Sequence, residues 1–211
     1  MNTSTKKGPV MPDVFESSVN SAAPSPLRRM AQAMAFCGLM ACGLCLVACG
    51  SPPTVSDYAS QQPVLDLRQY FNGPVQAHGI FTDRSGRVVK RFSVSLVGRW
   101  DGAQGVLEED FAYSDGTKQR RVWRLTDLGL GRFEGRADDV VGVARGQASG
   151  NALRWQYTLS LPVDGRVIEV QFDDWMYQLS DRLVLNKAEM SKFGIHLGEV
   201  TLSFDKPAAS R

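Results

Sequence analysis

The stretch Ala152-Leu153-Arg154-Trp155-Gln156-Tyr157-Thr158-Leu159-Ser160-Leu161-Pro162-Val163-Asp164-Gly165-Arg166-Val167-Ile168-Glu169-Val170-Gln171-Phe172-Asp173-Asp174-Trp175-Met176-Tyr177 decides the fold. Two runs of period-two alternation flank Asp164-Gly165, the two-residue hairpin signal. Folding on that turn pairs Val163 with Arg166. The ladder then sets Leu161 against Ile168, Leu159 against Val170, Tyr157 against Phe172, Trp155 against Asp174 and Leu153 against Met176. Every member of that face but Asp174 is apolar or aromatic. A one-residue slip would oppose leucines to Glu169 and Gln171, so the register is well specified. Asp174 is thereby placed on the buried face beside Trp155.

The same period extends outward from the hairpin. Phe92, Val94, Leu96, Gly98 and Trp100 alternate with Arg91, Ser93, Ser95 and Arg99, and Leu107, Phe111 and Tyr113 share a face with Glu109. Ser114-Asp115-Gly116 fits a three-residue loop with glycine in the left-handed position. It sets Phe111 against Gln119, Glu109 against Arg121 and Leu107 against Trp123, so Glu109 and Arg121 form an inward cross-strand pair. Further turn signals recur at Arg84-Ser85-Gly86-Arg87, Asp101-Gly102, Ser149-Gly150-Asn151 and Phe193-Gly194. No segment after Gly73 keeps a helical period for long. The expectation is an all-β domain over residues 64–206, an antiparallel up-and-down β-barrel of the lipocalin or calycin kind. It has about nine or ten strands and little helix outside the signal segment. A meander with one apolar face and no helices to cover it closes on itself. Such a barrel is filled by side chains or holds one small ligand. Val64–Gly73 reads as a short helical turn or an irregular plug, docking Leu65, Leu67 and Phe71 on the core.

Upstream, Leu46-Val47-Ala48-Cys49-Gly50 has the form of a lipoprotein cleavage site. It follows an apolar run from Met30 to Val47 and the basic pair Arg28-Arg29, the order of a bacterial secretory signal. The expected organisation is a leader and signal peptide over 1–48 and a lipidated N-terminus with a flexible tether over 49–63. The barrel follows over 64–206, then a tail over 207–211. Met11 is an alternative start that would shorten the leader to ordinary length. The competing reading of the apolar run is a transmembrane helix, borderline in length. Small residues at its end, the lack of a following basic cluster and the Ser51-Pro52-Pro53-Thr54 linker favour the signal. Cys49 then tethers the protein to the membrane. With no Asp beside it, the expected location is the outer membrane, facing the periplasm. Cys37, Cys42 and Cys45 go with the signal, so the mature domain has no thiol for a disulfide, a metal or catalysis. The formal excess of +2 lies in the leader, and the mature chain is balanced, which argues against nucleic acid as a partner.

The chemistry left to weigh is in carboxylates and aromatics. His78 and His196 lie far apart and have no partner at ligand spacing, so neither a metal nor a cofactor is expected. No nucleophile elbow, phosphate loop or dinucleotide fingerprint occurs. Asp173 and Asp174, adjacent on a strand, point to opposite faces and cannot act as a dyad. Glu109 and Asp174 can converge across a barrel as acid–base groups. The alternative is structural: Glu109 paired with Arg121, and Asp174 with a Trp or Tyr donor or with Asn186, as buried charges usually are. Trp123, Trp155, Tyr157, Phe172 and Met176 are core residues and, in a hollow barrel, its lining. With Glu109, Arg121 and Asp174 they make the candidate ligand site. Arg121 would suit a carboxylate head group.

An ordered series of residues also resembles a known family. It runs through Phe71-x-Gly73, Gly98-Arg99-Trp100, Glu109-x-Phe111-x-Tyr113-Ser114-Asp115-Gly116, Arg121-x-Trp123, Gly135-x-Ala137-x-Asp139 and Gly150-Asn151-Ala152. It continues through Trp155-x-Tyr157, Asp173-Asp174-Trp175-Met176-Tyr177 and Lys192-Phe193-Gly194. The series is similar to the proteobacterial lipoproteins grouped as domain of unknown function 3833. The resemblance implies an envelope lipoprotein with a lipocalin-like barrel and no established activity. An association with genes of fatty-acid-modifying enzymes implies a lipid-like ligand. Three functions are therefore carried forward. The first is a binding protein for an apolar, lipid-like molecule. The second is an enzyme acting on a lipid or isoprenoid through Glu109 or Asp174. The third is a non-catalytic interaction protein of the envelope.

Overall fold

Period-two alternation becomes ten antiparallel strands. The computed structural model describes residues 51–163 and 165–207. The expected leader, the expected lipidation site Cys49, Asp164 and residues 208–211 lie outside the described residues. The strands are β1 (Gly73–Asp83), β2 (Val88–Asp101), β3 (Gln104–Tyr113), β4 (Lys118–Gly129) and β5 (Arg132–Arg136). They continue as β6 (Ala144–Ser149), β7 (Ala152–Val163), β8 (Arg166–Gln178), β9 (Leu183–Lys192) and β10 (Ile195–Asp205). Each pairs with its sequence neighbours, and β1 pairs with β10, so the sheet is a closed up-and-down barrel. Closure removes the open edges that a ten-strand meander would otherwise present.

The registers argued from the two hairpins are those observed. Val163 lies opposite Arg166, Trp155 opposite Asp174 and Leu153 opposite Met176. Leu107 lies opposite Trp123, Glu109 opposite Arg121 and Phe111 opposite Gln119. Inward residues line the barrel, with Val75, Leu96, Leu153 and Val184 almost fully buried. Each such side chain contributes roughly 1.5–3 kcal/mol by leaving water.

One end of the barrel is plugged by the segment before β1, where a single helical turn, α1 (Leu67–Tyr70), is capped by Asp66. Leu65, Leu67, Tyr70 and Phe71 are buried in it. The Tyr70 hydroxyl lies 2.7 Å from the Arg182 carbonyl and 2.9 Å from that of Phe204, which ties the plug across to β9 and β10. Gly98 makes the docking possible: a Cβ there would fall 1.6 Å from the Phe71 carbonyl oxygen. The plugged end also carries the turns β2–β3, β6–β7 and β8–β9. The opposite end is ringed by the turns β1–β2, β3–β4, β7–β8 and β9–β10.

The expected tether is in part not free. Val55–Tyr58 forms a 3-10 turn, and the Tyr58 ring packs on the outer face against Trp175 and Tyr177, at 5.9 and 5.3 Å between centroids. Composition suggested disorder, but an aromatic side chain with an aromatic patch to cover outweighs a polar stretch. Among the described residues the core draws on residues between Leu65 and Phe204, and Pro52–Arg211 forms one compact unit.

Candidate ligand cavity

Strands β5 and β6 are the short ones, and the irregular segment 137–143 between them fills the missing wall. It borrows β7: Val141 N–H donates to the Thr158 carbonyl and Ser160 N–H to that of Asp139. On the segment's other side, β4 from Lys118 to Trp123 is paired with β3 but has no partner on its β5 edge, since pairing with β5 begins only at Arg124. Side chains close that seam. Arg121 Nε lies 3.1 and 3.0 Å from the Asp139 carboxylate oxygens, its Nη2 lies 2.7 Å from Oδ2, and Gln119 Nε2 donates to the same oxygen at 3.4 Å. This forked contact is the strong form of a charge-assisted hydrogen bond.

Behind the seam lies a cavity of about 200 Å³, against the roughly 10–15 Å³ that one water needs. Glu109, Arg121, Trp123, Trp155, Tyr157, Phe172, Asp174 and Met176, the eight residues singled out from the sequence, all line it. The floor is formed by Leu67 and Phe71 of the plug together with Leu96, Leu125 and Phe204. Phe81, Phe111, Tyr113, Gln119 and Leu161 rise toward the open end. Floor residues are buried, whereas those near the opposite end are only partly covered, so that end is the mouth.

Aromatic packing shapes the interior. Tyr157 stacks on Phe172 with centroids 5.1 Å apart, and Trp123 meets Tyr157 and Trp155 edge-on at 5.5 and 5.8 Å. Trp155 fits because β5 and β6 carry glycines beside it: a Cβ on Gly135 or Gly146 would come within 2.6 or 2.2 Å of the indole. Both acids are buried among these rings, at 8 % exposure for Glu109 and 7 % for Asp174. The Tyr157 hydroxyl donates to Asp174 Oδ2 at 2.9 Å, so the donor is a tyrosine, while Asn186 Nδ2 turns to the Trp175 carbonyl at 3.4 Å. Asp174 Oδ1 and Glu109 Oε2 have no hydrogen-bond partner within the protein. Arg121 Nη1 stands 3.8 Å from Glu109 Oε2, an ion pair without a hydrogen bond.

Burial dominates the electrostatics. It pushes Glu109 up to about 7, against the opposing pull of Arg121. It pushes Asp174 up to about 7 as well, against the Tyr157 hydrogen bond and Arg121. For Arg121 burial works against the charge, but Glu109 and the Asp139 hydrogen bond outweigh it, and its pKa is raised. Burial and the Asp174 charge raise Tyr157 well above its ordinary value, so it stays a hydroxyl donor.

The cross-strand Glu109–Arg121 pair read from the register exists, but Asp139 is the closer partner of Arg121. Arg121 is thus already engaged and is not an open receptor for a carboxylate head group. Sequence reasoning missed Asp139 because it sits in the irregular segment, where no period assigns a face. Its only trace was its place in the Gly135-x-Ala137-x-Asp139 series. Asp173 points outward to Arg154, with Nε at 2.7 Å. His78 and His196 lie on the outer face of β1 and β10. No group of three or more His, Cys, Asp or Glu converges for a metal among the described residues.

Solved structures resemble this fold. The S-type phycobiliprotein lyase CPES from Guillardia theta aligns with a TM-score of 0.52 at 7 % identity, over 75 % of this chain and 100 % of that one. A protein of unknown function from the DUF3598 family of Nostoc punctiforme PCC 73102 gives 0.49 at 11 % identity, over 75 % and 53 %. EF1p2_mFAP2b bound to DFHBI gives 0.39 at 10 % identity, over 73 % and 100 %. At these identities the likeness is one of fold, a lipocalin-like barrel. No curated protein matches the chain in sequence. The family described as "Protein of unknown function (DUF3833)" matches residues 43–206.

Proposed function

The chain belongs to the DUF3833 family of proteins of unknown function, and we propose that it is a lipid-anchored envelope protein that binds an apolar, lipid-like molecule in its barrel. The observation that carries this reading is the cavity: enclosed by aromatic side chains, floored by the plug and reached from one end. Apolar pockets with a few convergent polar groups are the usual ligand sites of such barrels. The anchor is Cys49, which supplies the membrane partner, and the proposed location is the outer membrane facing the periplasm. Exposed apolar residues at the open end, including Phe193 of the β9–β10 turn at 87 % and Val167 near the start of β8 at 72 % exposure, suit a mouth that takes cargo from an apolar phase.

Two experiments test this. Native mass spectrometry of residues 50–211 from a Gram-negative periplasm is expected to carry one bound lipid per chain, lost in Trp155→Ala with the fold retained. A clean apo mass, unchanged by host lipid extract, would sink the binding reading. In the full chain, labelled fatty acid is expected to be incorporated in the wild type and not in Cys49→Ala. Equal labelling of both would remove the anchor.

One observation favours a second reading. Glu109 and Asp174 are both held near neutrality, where a carboxyl can give and take a proton. An acid–base enzyme would convert its bound lipid, and Glu109→Gln would stop that conversion without unfolding the barrel. An unaltered lipid recovered from wild type and variant alike rejects it.

A further inference from the structure

The charge inventory of the cavity does not suit the acidic cargo that a lipid carrier would first suggest. Arg121 is the only Lys, Arg or His among the described residues lining it. Asp139 holds that guanidinium through Nε and Nη2, and Glu109 faces its remaining edge. A ligand carboxylate would have to displace Asp139 and would still face Glu109 and Asp174. These two acids, more than nine-tenths buried, line the cavity, and each keeps an oxygen without a hydrogen-bond partner in the protein. Around them stand the rings of Trp123, Tyr157 and Phe172. Carboxylates set among aromatic faces recognise ammonium groups, through charge, hydrogen bonding and cation–π attraction together.

We propose that the cavity takes an apolar molecule ending in a protonated amine, with the ammonium held by the carboxyl groups of Glu109 and Asp174 among these rings. The proposal rests on the carrier reading above and names its cargo class: a long-chain amine, not a free fatty acid. The charges close. Arg121 and Asp139 cancel, one ammonium balances one ionised acid, and the second acid stays neutral and donates or shares a proton. The apolar tail then lies along the leucines and phenylalanines toward the mouth.

Chain-matched probes test this directly. Residues 50–211 are loaded with N-phenyl-1-naphthylamine, a neutral fluorescent probe of apolar cavities, and titrated with decylamine, decanol and decanoate at about pH 7.5. Decylamine is expected to displace the probe at least tenfold more effectively than either analogue. Glu109→Gln and Asp174→Asn, which keep size and shape, are expected each to cut that preference to threefold or less with an unchanged near-ultraviolet circular dichroism spectrum. Decanoate as the best competitor would overturn the proposal, and so would an amine preference that survives in both folded variants. The wild-type ranking decides by itself if a variant does not fold. A barrel that takes up neither the probe nor any of the three chains would instead bring down the carrier reading, and the proposal with it.

Discussion

Glu109 and Asp174 are the residues on which the interior turns. Both carboxyls titrate near 7 in the folded barrel because burial penalises their charge, whereas their ordinary values are 4.5 and 3.8. Between those limits the folded state binds more protons than the unfolded chain. Their contribution to stability is therefore fully present below about 4, declines as pH rises and is gone above about 7. The groups facing them are Arg121 from β4, Asp139 from the wall segment, Tyr113 from β3 and Tyr157 from β7. Chemical denaturation of the unliganded domain is expected to give a higher midpoint near pH 5 than near pH 8, with the difference reduced in Glu109→Gln. A midpoint that rises with pH would contradict the assigned environment. Amine affinity is expected to run the opposite way and strengthen as pH climbs through 7, because the ligand needs an ionised acid. Removing Arg121 leaves the buried Glu109 and the half-buried Asp139 without a cation, so Arg121→Met is expected to cost about 3–5 kcal/mol, read as a lowered denaturation midpoint.

At the level of elements, hairpins and plug were legible in the sequence and the wall segment was not. The β7–β8 register followed from a two-residue turn and from what a slip would expose, and every pair argued from it is present. Asp173-Asp174-Trp175-Met176-Tyr177 now has a physical reading. Asp174 and Met176 face the cavity, Asp173 meets Arg154, and Trp175 and Tyr177 receive Tyr58. That last contact, like Arg121 with Asp139, is tertiary and joins segments whose own patterns do not point at each other. The plug yields a local prediction. Gly98→Ala would drive a methyl into the Phe71 carbonyl, and an overpacked site of this kind costs typically 1–3 kcal/mol. Thermal unfolding is expected to shift downward accordingly. An unshifted transition would mean that the plug docks elsewhere. The mouth yields another. Phe193→Ser in the β9–β10 turn with Ile195→Ser at the start of β10, both exposed, is expected to slow ligand pick-up from vesicles several-fold while leaving equilibrium affinity within twofold. Stopped-flow transfer measurements separate the two quantities.

For the whole molecule, the antiparallel up-and-down barrel follows from counting. Ten strands with one apolar face, and among the described residues no helix long enough to cover it, leave closure as the way to bury that face. Fold class and a strand number of about nine or ten were readable at that level. Whether the interior is filled or hollow was not. That depends on the summed volumes of side chains at ten strand positions, and on two glycines that let one indole lie against the wall. A cavity next to two acids, one committed arginine and a ring of aromatics is the outcome. The most direct test of the account is the native mass of residues 50–211 recovered from a Gram-negative periplasm, with the released lipid identified. The account predicts one equivalent of an apolar molecule bearing an amine, absent from Trp155→Ala. An apo mass that stays unchanged in the presence of lipid extract and of decylamine would contradict it.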